Sequence, residues 1–374
     1  MLYIYIFIDA FGWELFKKNS DFLKDIVITK KPLRTVFGYS SACVPSIITG
    51  KTPAEHGFWS SFYYSPETSP FRVLKYLDLF PKFITDKSRI RRYLSKILKK
   101  ICGFSGYFEI YNAPFKYLPY FDYQEKYDIY AENGIKGHET VFDILREQNI
   151  PYFLAKDRSD KIKFEKLNES LEEGKIKFAY LHLGELDSLL HFNKKDSGVV
   201  KEKLEEYKNL IMKTYENAKK HYNEVSLVVF SDHGMKEIDS TYDLIKDIES
   251  LGLIYGKDYI AFYDSTMARF WFLNESANDK IANKLNQIKE GSVLSEEELK
   301  AFGGYFQDHK YGDLIFLMKP GTLIVPSFMG KKPLCGMHGY HPEDPDSWAM
   351  YLSNRDEKKE IKTILDVFDF KNLF

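Results

Sequence analysis

Short apolar runs alternate with amphipathic stretches along much of the chain. The runs at 2–8, 176–183 and 225–231 are each long enough for one buried strand. Between the last two of them, apolar residues recur every three or four positions over 196–222, which predicts one long amphipathic helix. Strands that alternate with helices predict an α/β protein with a mostly parallel sheet and helices on both faces.

Two segments interrupt this alternation. Residues 62–135 are rich in aromatic side chains and contain a basic stretch, whereas residues 253–335 show no strand–helix period. We interpret both segments as inserted caps, the first one basic and aromatic. The predicted catalytic core consists of three parts: residues 1–61, 136–252 and 336–374.

Composition and charge exclude several classes of protein. The 374 residues include 53 basic and 54 acidic side chains, and the net charge of −1 argues against a stable nucleic-acid complex. Three scattered cysteines make no disulfide framework or zinc-finger spacing. No apolar run approaches the ~20 residues of a membrane span. We therefore expect a soluble, cytoplasmic protein.

Side chains that can bind metal ions follow the predicted strands, where ligands of open α/β sheets are found. Asp187 and His191 are four residues apart and would share one face of a helix. Three carboxylates and three imidazoles are enough for two three-ligand cation sites. Each has a structural alternative as a helix cap, turn former or surface pair. The candidate ligands are Asp9, Asp187, His191, Asp232, His233 and His338.

A candidate nucleophile lies in the segment 38–50. Pro45 favours the first turn of a helix, which predicts a helix that begins near 42–44, with Ser40 or Ser41 at its N-terminus. The positive end of a helix favours a bound anion, and backbone N–H groups near Ala42 are expected to hold it. Metal coordination would activate the serine hydroxyl. The alternative is an ordinary N-cap serine.

Several motifs together resemble the type I phosphodiesterase/nucleotide pyrophosphatase family of the alkaline phosphatase superfamily. The specific ones are Thr-Gly-x-x-Pro-x-x-His-Gly at 49–57 and Ser-Asp-His-Gly-Met at 231–235. They occur in the order of the family, together with Asp9, Asp187-x-x-x-His191 and His338-Gly-Tyr. The motifs extend over nearly the whole chain.

The resemblance implies a three-layer α/β/α core like that of alkaline phosphatase and two divalent metal ions, zinc or alternatively manganese. One ion would be held by Asp9, Asp232 and His233, and the other by Asp187, His191 and His338. The implied activity is a two-metal phosphodiesterase or nucleotide pyrophosphatase that forms a covalent phospho-enzyme intermediate. The nucleophile would be Ser40, ten residues before Gly50, with Ser41 as the fallback. His56 would be structural.

The chain departs from the family pattern at some positions. Ala10 follows Asp9 where the family usually has glycine, and Glu185 competes with Asp187 as a ligand. The segment after Ser40 lacks the Cys/Ser-x-Pro-x-Arg signature of sulfatases, which disfavours that activity. The alternatives that remain are a phosphomonoesterase, a metal-dependent phosphomutase, and a non-catalytic module on an inactive scaffold that binds membranes or nucleic acid.

The expected partner is a phosphate-ester small molecule or a nucleotide. The basic amphipathic stretch within residues 82–123 is interpreted first as a solvated cap helix. Two other interpretations are contact with anionic lipid or a lipid-linked substrate, which would make the protein peripheral at a membrane surface, and stacking on a base. Arg269 is expected in the core of a cap, with contact to the substrate as the alternative. The basic positions of the stretch are Arg89, Arg91, Arg92, Lys96, Lys99 and Lys100.

Overall fold

The computed structural model describes residues 1–357 and 359–370. The strands in this part of the chain are β1 (Leu2–Ile8), β2 (Thr29–Leu33), β3 (Phe62–Tyr64), β4 (Phe121–Tyr123), β5 (Tyr152–Leu154), β6 (Phe178–Leu183), β7 (Val225–Phe230), β8 (Lys236–Glu237), β9 (Ser240–Tyr242), β10 (Tyr259–Tyr263), β11 (Met267–Phe272), β12 (Gly291–Val293), β13 (Leu314–Met318), β14 (Thr322–Ile324), β15 (Gly336–Met337) and β16 (Ala349–Ser353).

The α-helices of the same residues are α1 (Trp13–Lys18), α2 (Ser40–Thr49), α3 (Pro53–His56), α4 (Lys82–Thr85), α5 (Ser88–Ile101), α6 (Val141–Glu147), α7 (Asp160–Glu172), α8 (Glu185–Phe192), α9 (Gly198–His221), α10 (Leu244–Glu249), α11 (Glu275–Leu285) and α12 (Glu296–Ala301). Short 3₁₀ helices occur at Arg72–Leu79, Leu118–Tyr120, Pro345–Ser347 and Ile364–Asp366. None of the helices described is long and apolar enough to cross a membrane.

A six-stranded sheet with the order β2-β16-β7-β1-β6-β5 forms the centre of the molecule. β1 pairs in parallel with β6 and with β7, and Ile4 lies opposite Ala179 on one side and Leu227 on the other. β16 runs antiparallel to both of its neighbours. The three predicted strands correspond to β1, β6 and β7, because continuous apolar runs are buried on both faces of a parallel sheet.

Helices cover both faces of this sheet. Ile4 and Ile6 of β1 pack in one apolar cluster with residues of α7 and α9. Tyr5 and Phe7, which point to the opposite face, pack in another cluster with residues of α2 and α6. The long helix predicted over 196–222 is α9. The three-layer α/β/α core is therefore confirmed, and its mostly parallel sheet with it.

The two predicted caps share a single apolar core. β10, β11, β12 and β13 form an antiparallel sheet of four strands within 253–335. Its residues pack in one cluster with apolar residues from 62–123. The buried Arg269 of β11 belongs to this region, where its Nε lies 2.8 Å from Asp264 Oδ2. The segment boundaries stay a prediction, and residues 358 and 371–374 of the last core segment lie outside the described residues.

The start of α2 differs from the prediction. The helix begins at Ser40 rather than at 42–44, so Pro45 is its sixth residue. Proline has no N–H, so the hydrogen bond that residue 45 would make to the carbonyl of Ser41 is absent. The helix tolerates this loss one turn from its start and ends at Thr49, followed by Gly50, which caps it with a left-handed φ of 66°.

Candidate active site

The candidate site lies at the carboxyl ends of the central strands. Asp9 follows β1 directly, and Asp232 comes two residues after the end of β7. The turn after β6 leads into α8, which carries Asp187 and His191 one helical turn apart. His338 follows β15. Because β1, β6 and β7 are parallel neighbours, their ends lie at one edge of the sheet and bring these residues together.

Asp9, Asp232 and His233 form the first of two clusters, which we call cluster 1. Their candidate ligand atoms all lie within 4.8 Å of one another, and all three side chains are buried. His233 Nε2 lies 3.1 Å from Asp232 Oδ2 and 3.6 Å from Asp9 Oδ1. Nδ1 of the same ring donates to the carbonyl of Gly234 at 2.9 Å, which leaves the Nε2 lone pair directed into the cluster.

Asp187, His191 and His338 form cluster 2, within the same 4.8 Å limit. Nε2 of His191 lies 3.4 Å from Asp187 Oδ2, and Nε2 of His338 lies 3.6 Å from Asp187 Oδ1. His191 Nδ1 donates to the carbonyl of Gly336 at 3.0 Å, so that its Nε2 also faces the cluster as an acceptor. The two clusters touch, because the rings of His233 and His338 stack with centroids 3.8 Å apart.

Several polar atoms in the two clusters have no hydrogen-bond partner among the described residues. They include Oδ1 of Asp9, Oδ1 of Asp187 and Oδ2 of Asp232, one oxygen from each carboxylate. A buried polar atom without a partner costs free energy, since it has lost its contact with water. A bound divalent cation would satisfy such atoms, which lie near the imidazole nitrogens of the same clusters.

Electrostatics support the same conclusion. Burial, together with the charges of Asp232 and Asp187, raises the pKa of Asp9 well above its usual range. Burial also raises the pKa of Asp232, although the neighbouring His233 opposes this. The buried carboxylates of Asp9 and Asp232 repel one another, and positive charge between them would relieve the repulsion. The donor set of carboxylates and imidazoles therefore fits two divalent cations such as zinc or manganese.

The two candidate serines point in different directions. Ser40 Oγ lies 3.0 Å from His233 Nε2, which places the hydroxyl beside cluster 1. Ser41 is buried, and its hydroxyl donates to the carbonyl of Trp59 at 3.4 Å. The spacing of residues along the sequence could not distinguish Ser40 from Ser41 as the candidate nucleophile. The directions of their side chains distinguish them, because only the Ser40 hydroxyl lies beside cluster 1.

The amide expected to hold an anion is occupied. The N–H of Ala42 donates to the carbonyl of Tyr39 at 2.7 Å, so the Ala42 amide itself is engaged, and the prediction of anion-binding amides near Ala42 depends on its neighbours. The reason is the earlier start of α2, which puts Ala42 at the first amide that can bond back into the turn. The amides of Ser40 and Ser41 precede that point and are the ones without a partner inside the helix.

Glu185, the competing ligand, is turned away from both clusters. Its Oε1 accepts the N–H of Asp160 at 2.9 Å, and its Oε2 lies 2.8 Å from Lys203 Nζ. His56 is also engaged elsewhere, because its Nε2 lies 2.9 Å from Ser46 Oγ. These contacts leave Asp187 as the carboxylate of cluster 2 and give His56 the structural position expected for it.

Ala10, which stands where the family usually has glycine, adopts a backbone conformation typical of glycine. Its φ is +62°, in the left-handed region that glycine adopts without strain and alanine adopts at a cost of roughly 1 kcal/mol. This conformation turns the chain sharply after β1, and the N–H of Ala10 then donates to Asp232 Oδ1 at 3.3 Å. The turn therefore helps to position a residue of cluster 1.

One neighbour of the site was missed. His182 lies on β6 with its Nε2 3.7 Å from Asp9 Oδ2, and its Nδ1 is 2.9 Å from the hydroxyl of Tyr130. Burial, with a smaller contribution from Lys163, lowers the pKa of His182 to about 4, so the ring is neutral at physiological pH. The available signal was the imidazole of His182 within the otherwise buried strand Phe178–Leu183.

A cavity of about 680 Å³ adjoins both clusters and Ser40. Its walls come from the core and from both caps, and the first cap supplies Tyr107, Tyr111, Tyr127 and Glu125. The cavity is large enough for a small ligand attached to a phosphate group. The aromatic residues predicted for the first cap therefore contribute directly to the space beside the candidate metal site.

Glu125 is expected to make folding stability depend on pH. Burial raises its pKa to about 7, so the folded protein binds a proton there that the unfolded chain releases near pH 4.5. Stability is then lost as the pH rises through that window. After discounting for partial exposure, Glu125→Gln should stabilise the protein by about 2 kcal/mol at pH 8 and little at pH 5.

Denaturant unfolding at both pH values measures this difference. The matched control is Glu132→Gln, at an exposed position of the same cap. An equal effect of Glu125→Gln at pH 5 and pH 8 would contradict the assignment.

The fold and the paired clusters define a protein of the alkaline phosphatase superfamily. The sequence profile of the type I phosphodiesterase/nucleotide pyrophosphatase family matches residues 3–341, so the chain belongs to this family. No curated protein matches the sequence.

Solved structures show the same fold at low sequence identity. Human ectonucleotide pyrophosphatase/phosphodiesterase 5 superimposes with a TM-score of 0.69 and 14% identity, over 98% of this chain and 92% of that one. Its murine counterpart, an inactive variant with threonine replaced by alanine and in complex with AMP, superimposes with a TM-score of 0.68 and 15% identity, over 98% and 92%. The family match and these neighbours confirm the resemblance seen in the sequence motifs.

Proposed function

We propose that the protein is a metal-dependent phosphodiesterase in which Ser40 is the nucleophile and clusters 1 and 2 each hold one divalent cation. The observation that carries the proposal is the position of the Ser40 hydroxyl, 3.0 Å from His233 Nε2 and beside six convergent ligand side chains. Zinc is the preferred metal and manganese the alternative, since both accept carboxylate and imidazole ligands.

The murine relative supports a hydroxyl nucleophile. Its inactive form lacks one threonine hydroxyl and is described in complex with AMP. A serine hydroxyl is the same chemical group, so we assign the role of nucleophile to Ser40 in this chain. AMP also supports a nucleotide or another phosphate ester as substrate.

Two bound cations would lower the pKa of an adjacent hydroxyl and offset negative charge on a transferring phosphoryl group. The remaining chemistry consists of attack by a side chain of the protein and hydrolysis of the resulting intermediate. Ser40 Oγ attacks phosphorus opposite the leaving alcohol, so the serine O–P bond forms while the P–O bond to the alcohol breaks. Water subsequently attacks phosphorus in this seryl phosphodiester, so the bond between phosphorus and Ser40 Oγ breaks, Oγ takes up a proton and a phosphate monoester is released.

The N-terminus of α2 contributes to binding of the phosphate. The amides of Ser40 and Ser41 have no acceptor inside the helix and lie at its positive end. They are placed to donate to phosphate oxygens as negative charge shifts during transfer. The cavity walls, with Tyr107 and Tyr111, receive the organic part of the substrate.

A comparison of three substrates tests the proposal against a phosphomonoesterase or phosphomutase. We expect turnover of a bis-aryl phosphodiester and of an aryl ester of a nucleotide monophosphate to exceed that of an aryl monoester by at least about tenfold, a difference of roughly 1.4 kcal/mol in transition-state binding. Faster hydrolysis of the monoester would favour the phosphomonoesterase, and no hydrolysis of any of the three would contradict an esterase.

A further inference from the structure

Exposed apolar side chains are concentrated in one segment of the first cap. Among the described residues, 8 of the 17 exposed large hydrophobic side chains lie between 73 and 101. Leu79, Ile101 and Phe83 are the most exposed of them, at 85%, 79% and 73%. Single exposed apolar residues are ordinary, but a cluster of this kind marks a surface that contacts something apolar.

Positive charge is concentrated in the same segment. Residues 71–101 contain ten basic and two acidic side chains, a net charge of +8, although the whole chain has a net charge of −1. The exposed cations of α5 are Arg89, Arg92, Lys96 and Lys100, and none of them forms an ion pair with a described carboxylate. Their charge is therefore available to a partner.

Helix α5 arranges these side chains in three stripes. Arg91, Ser95 and Leu98 are buried and attach the helix to the cap. Tyr93, Ile97 and Ile101 are exposed at intervals of four residues, which places them along one line on the surface. Each exposed cation at 92, 96 and 100 directly precedes one member of this apolar line, so the two stripes are adjacent.

Arg91 does not belong to the charged stripe, contrary to the sequence interpretation. Its guanidinium donates to the carbonyls of Thr85 and Ala113, at 3.0 and 2.7 Å. Lys99 is half-buried and donates to the carbonyl of Gly106. Both residues support the local fold and are unsuitable for a test of surface charge.

We propose that the exposed face of residues 72–101 is a docking surface for an anionic lipid bilayer. An apolar line of aromatic and aliphatic residues beside lysine and arginine is the composition of helices that lie in the membrane interface. A protein partner fits less well, because lysine is depleted at the centre of protein interfaces. Negatively charged lipid headgroups complement the unpaired cations, and their acyl chains accept Leu79, Phe83 and Ile101.

The docking surface is connected to the rim of the cavity through the end of α5. Lys99, near the end of α5, bonds to the carbonyl of Gly106, and Gly106 and Tyr107 line the cavity. Attachment through α5 would therefore keep the cavity rim near the headgroups. The docking itself is independent of the proposed function and is tested without any measurement of hydrolysis.

Vesicle flotation tests the docking directly. We expect the intact protein to float with phosphatidylcholine vesicles that contain about 30% phosphatidylserine, and to be released by about 0.5 M salt. The charge variant is Arg89→Gln/Arg92→Gln/Lys96→Gln/Lys100→Gln, which should lower the partition coefficient by at least about 100-fold. Ile97→Ser/Ile101→Ser should also weaken binding, although the charge is unchanged.

The matched control removes four positive charges elsewhere. Lys201→Gln/Lys213→Gln/Lys220→Gln/Lys280→Gln changes exposed lysines of α9 and α11 and should float like the original protein. Thermal unfolding midpoints verify that all variants are folded. Absence of flotation, equal flotation with pure phosphatidylcholine, or an equal loss in the control would each overturn the proposal. Retention on a polyanion such as RNA without flotation would also overturn it, in favour of nucleic acid.

Discussion

Replacing Ser40 by alanine is expected to lower kcat for phosphodiester hydrolysis by at least about 1000-fold, or roughly 4 kcal/mol of transition-state stabilisation. The hydroxyl is the group that would form the bond to phosphorus, whereas the hydroxyls of Ser46 and Thr49 in α2 bond to His56 and to the carbonyl of Pro45. Ser41 has its side chain on the carbonyl of Trp59 and cannot replace it without a change of direction. Steady-state kinetics with a bis-aryl phosphodiester measure the loss.

Ser41→Ala is the matched control, since it removes the same group one residue along the helix. We expect its kcat to remain within about threefold of the original value, because the Ser41 hydroxyl bonds to the carbonyl of Trp59 and the substitution keeps the backbone amide that we assign to phosphate binding. Metal content should be unchanged in both variants. Mass spectrometry of acid-quenched protein should detect the aryl-phosphoryl group of the substrate on Ser40. Near-normal turnover of Ser40→Ala with loss in Ser41→Ala would reverse the assignment.

The central sheet was predictable because its strands are buried on both faces. Burial on both sides makes the run 2–8 continuously apolar, and its length matches one strand. The same physics identified the ligands, because polar residues that follow buried parallel strands collect at one edge of the sheet. His338 was found through its motif, since no strand of the central sheet leads to it.

The second cap could not be derived from periodicity. β10 and β11 are buried along nearly their whole lengths between the cap helices and the first cap. A strand buried on both faces has no alternation of polar and apolar residues, and antiparallel strands lack the helices that separate parallel ones. The segment 253–335 therefore showed no recognisable repeat although it contains a complete small sheet.

The errors at α2 and α5 have a common origin in backbone hydrogen bonds. A sequence shows that Pro45 lacks an N–H, but not which carbonyl can remain without a partner, so the helix start was placed too late. Likewise, the charge of Arg91 suggested a solvated face, whereas two backbone carbonyls hold it in the interior. The cytoplasmic location stays a prediction.

Removal of metal is expected to abolish hydrolysis and to destabilise the fold. Without cations the carboxylates of Asp9 and Asp232 lie close together in the interior, and burial together with the charges of Asp232 and Asp187 raises the pKa of Asp9. Treatment with a chelator should therefore lower both kcat, by at least about 1000-fold, and the thermal midpoint. Added zinc or manganese should restore both. Elemental analysis of the untreated protein should give about two divalent ions per chain.

Single ligand variants separate the two clusters. Asp232→Asn should reduce the metal content to about one ion per chain through cluster 1, and Asp187→Asn should do so through cluster 2, because a neutral amide is a weaker ligand than a carboxylate. Glu185→Gln is the matched control: it lies two residues from Asp187, but its carboxylate is engaged by Lys203 and Asp160. Two retained ions in Asp232→Asn, or hydrolysis that persists after chelation, would exclude the two-metal site. Loss of an ion in Glu185→Gln would show instead that the carboxylate of α8 was assigned incorrectly.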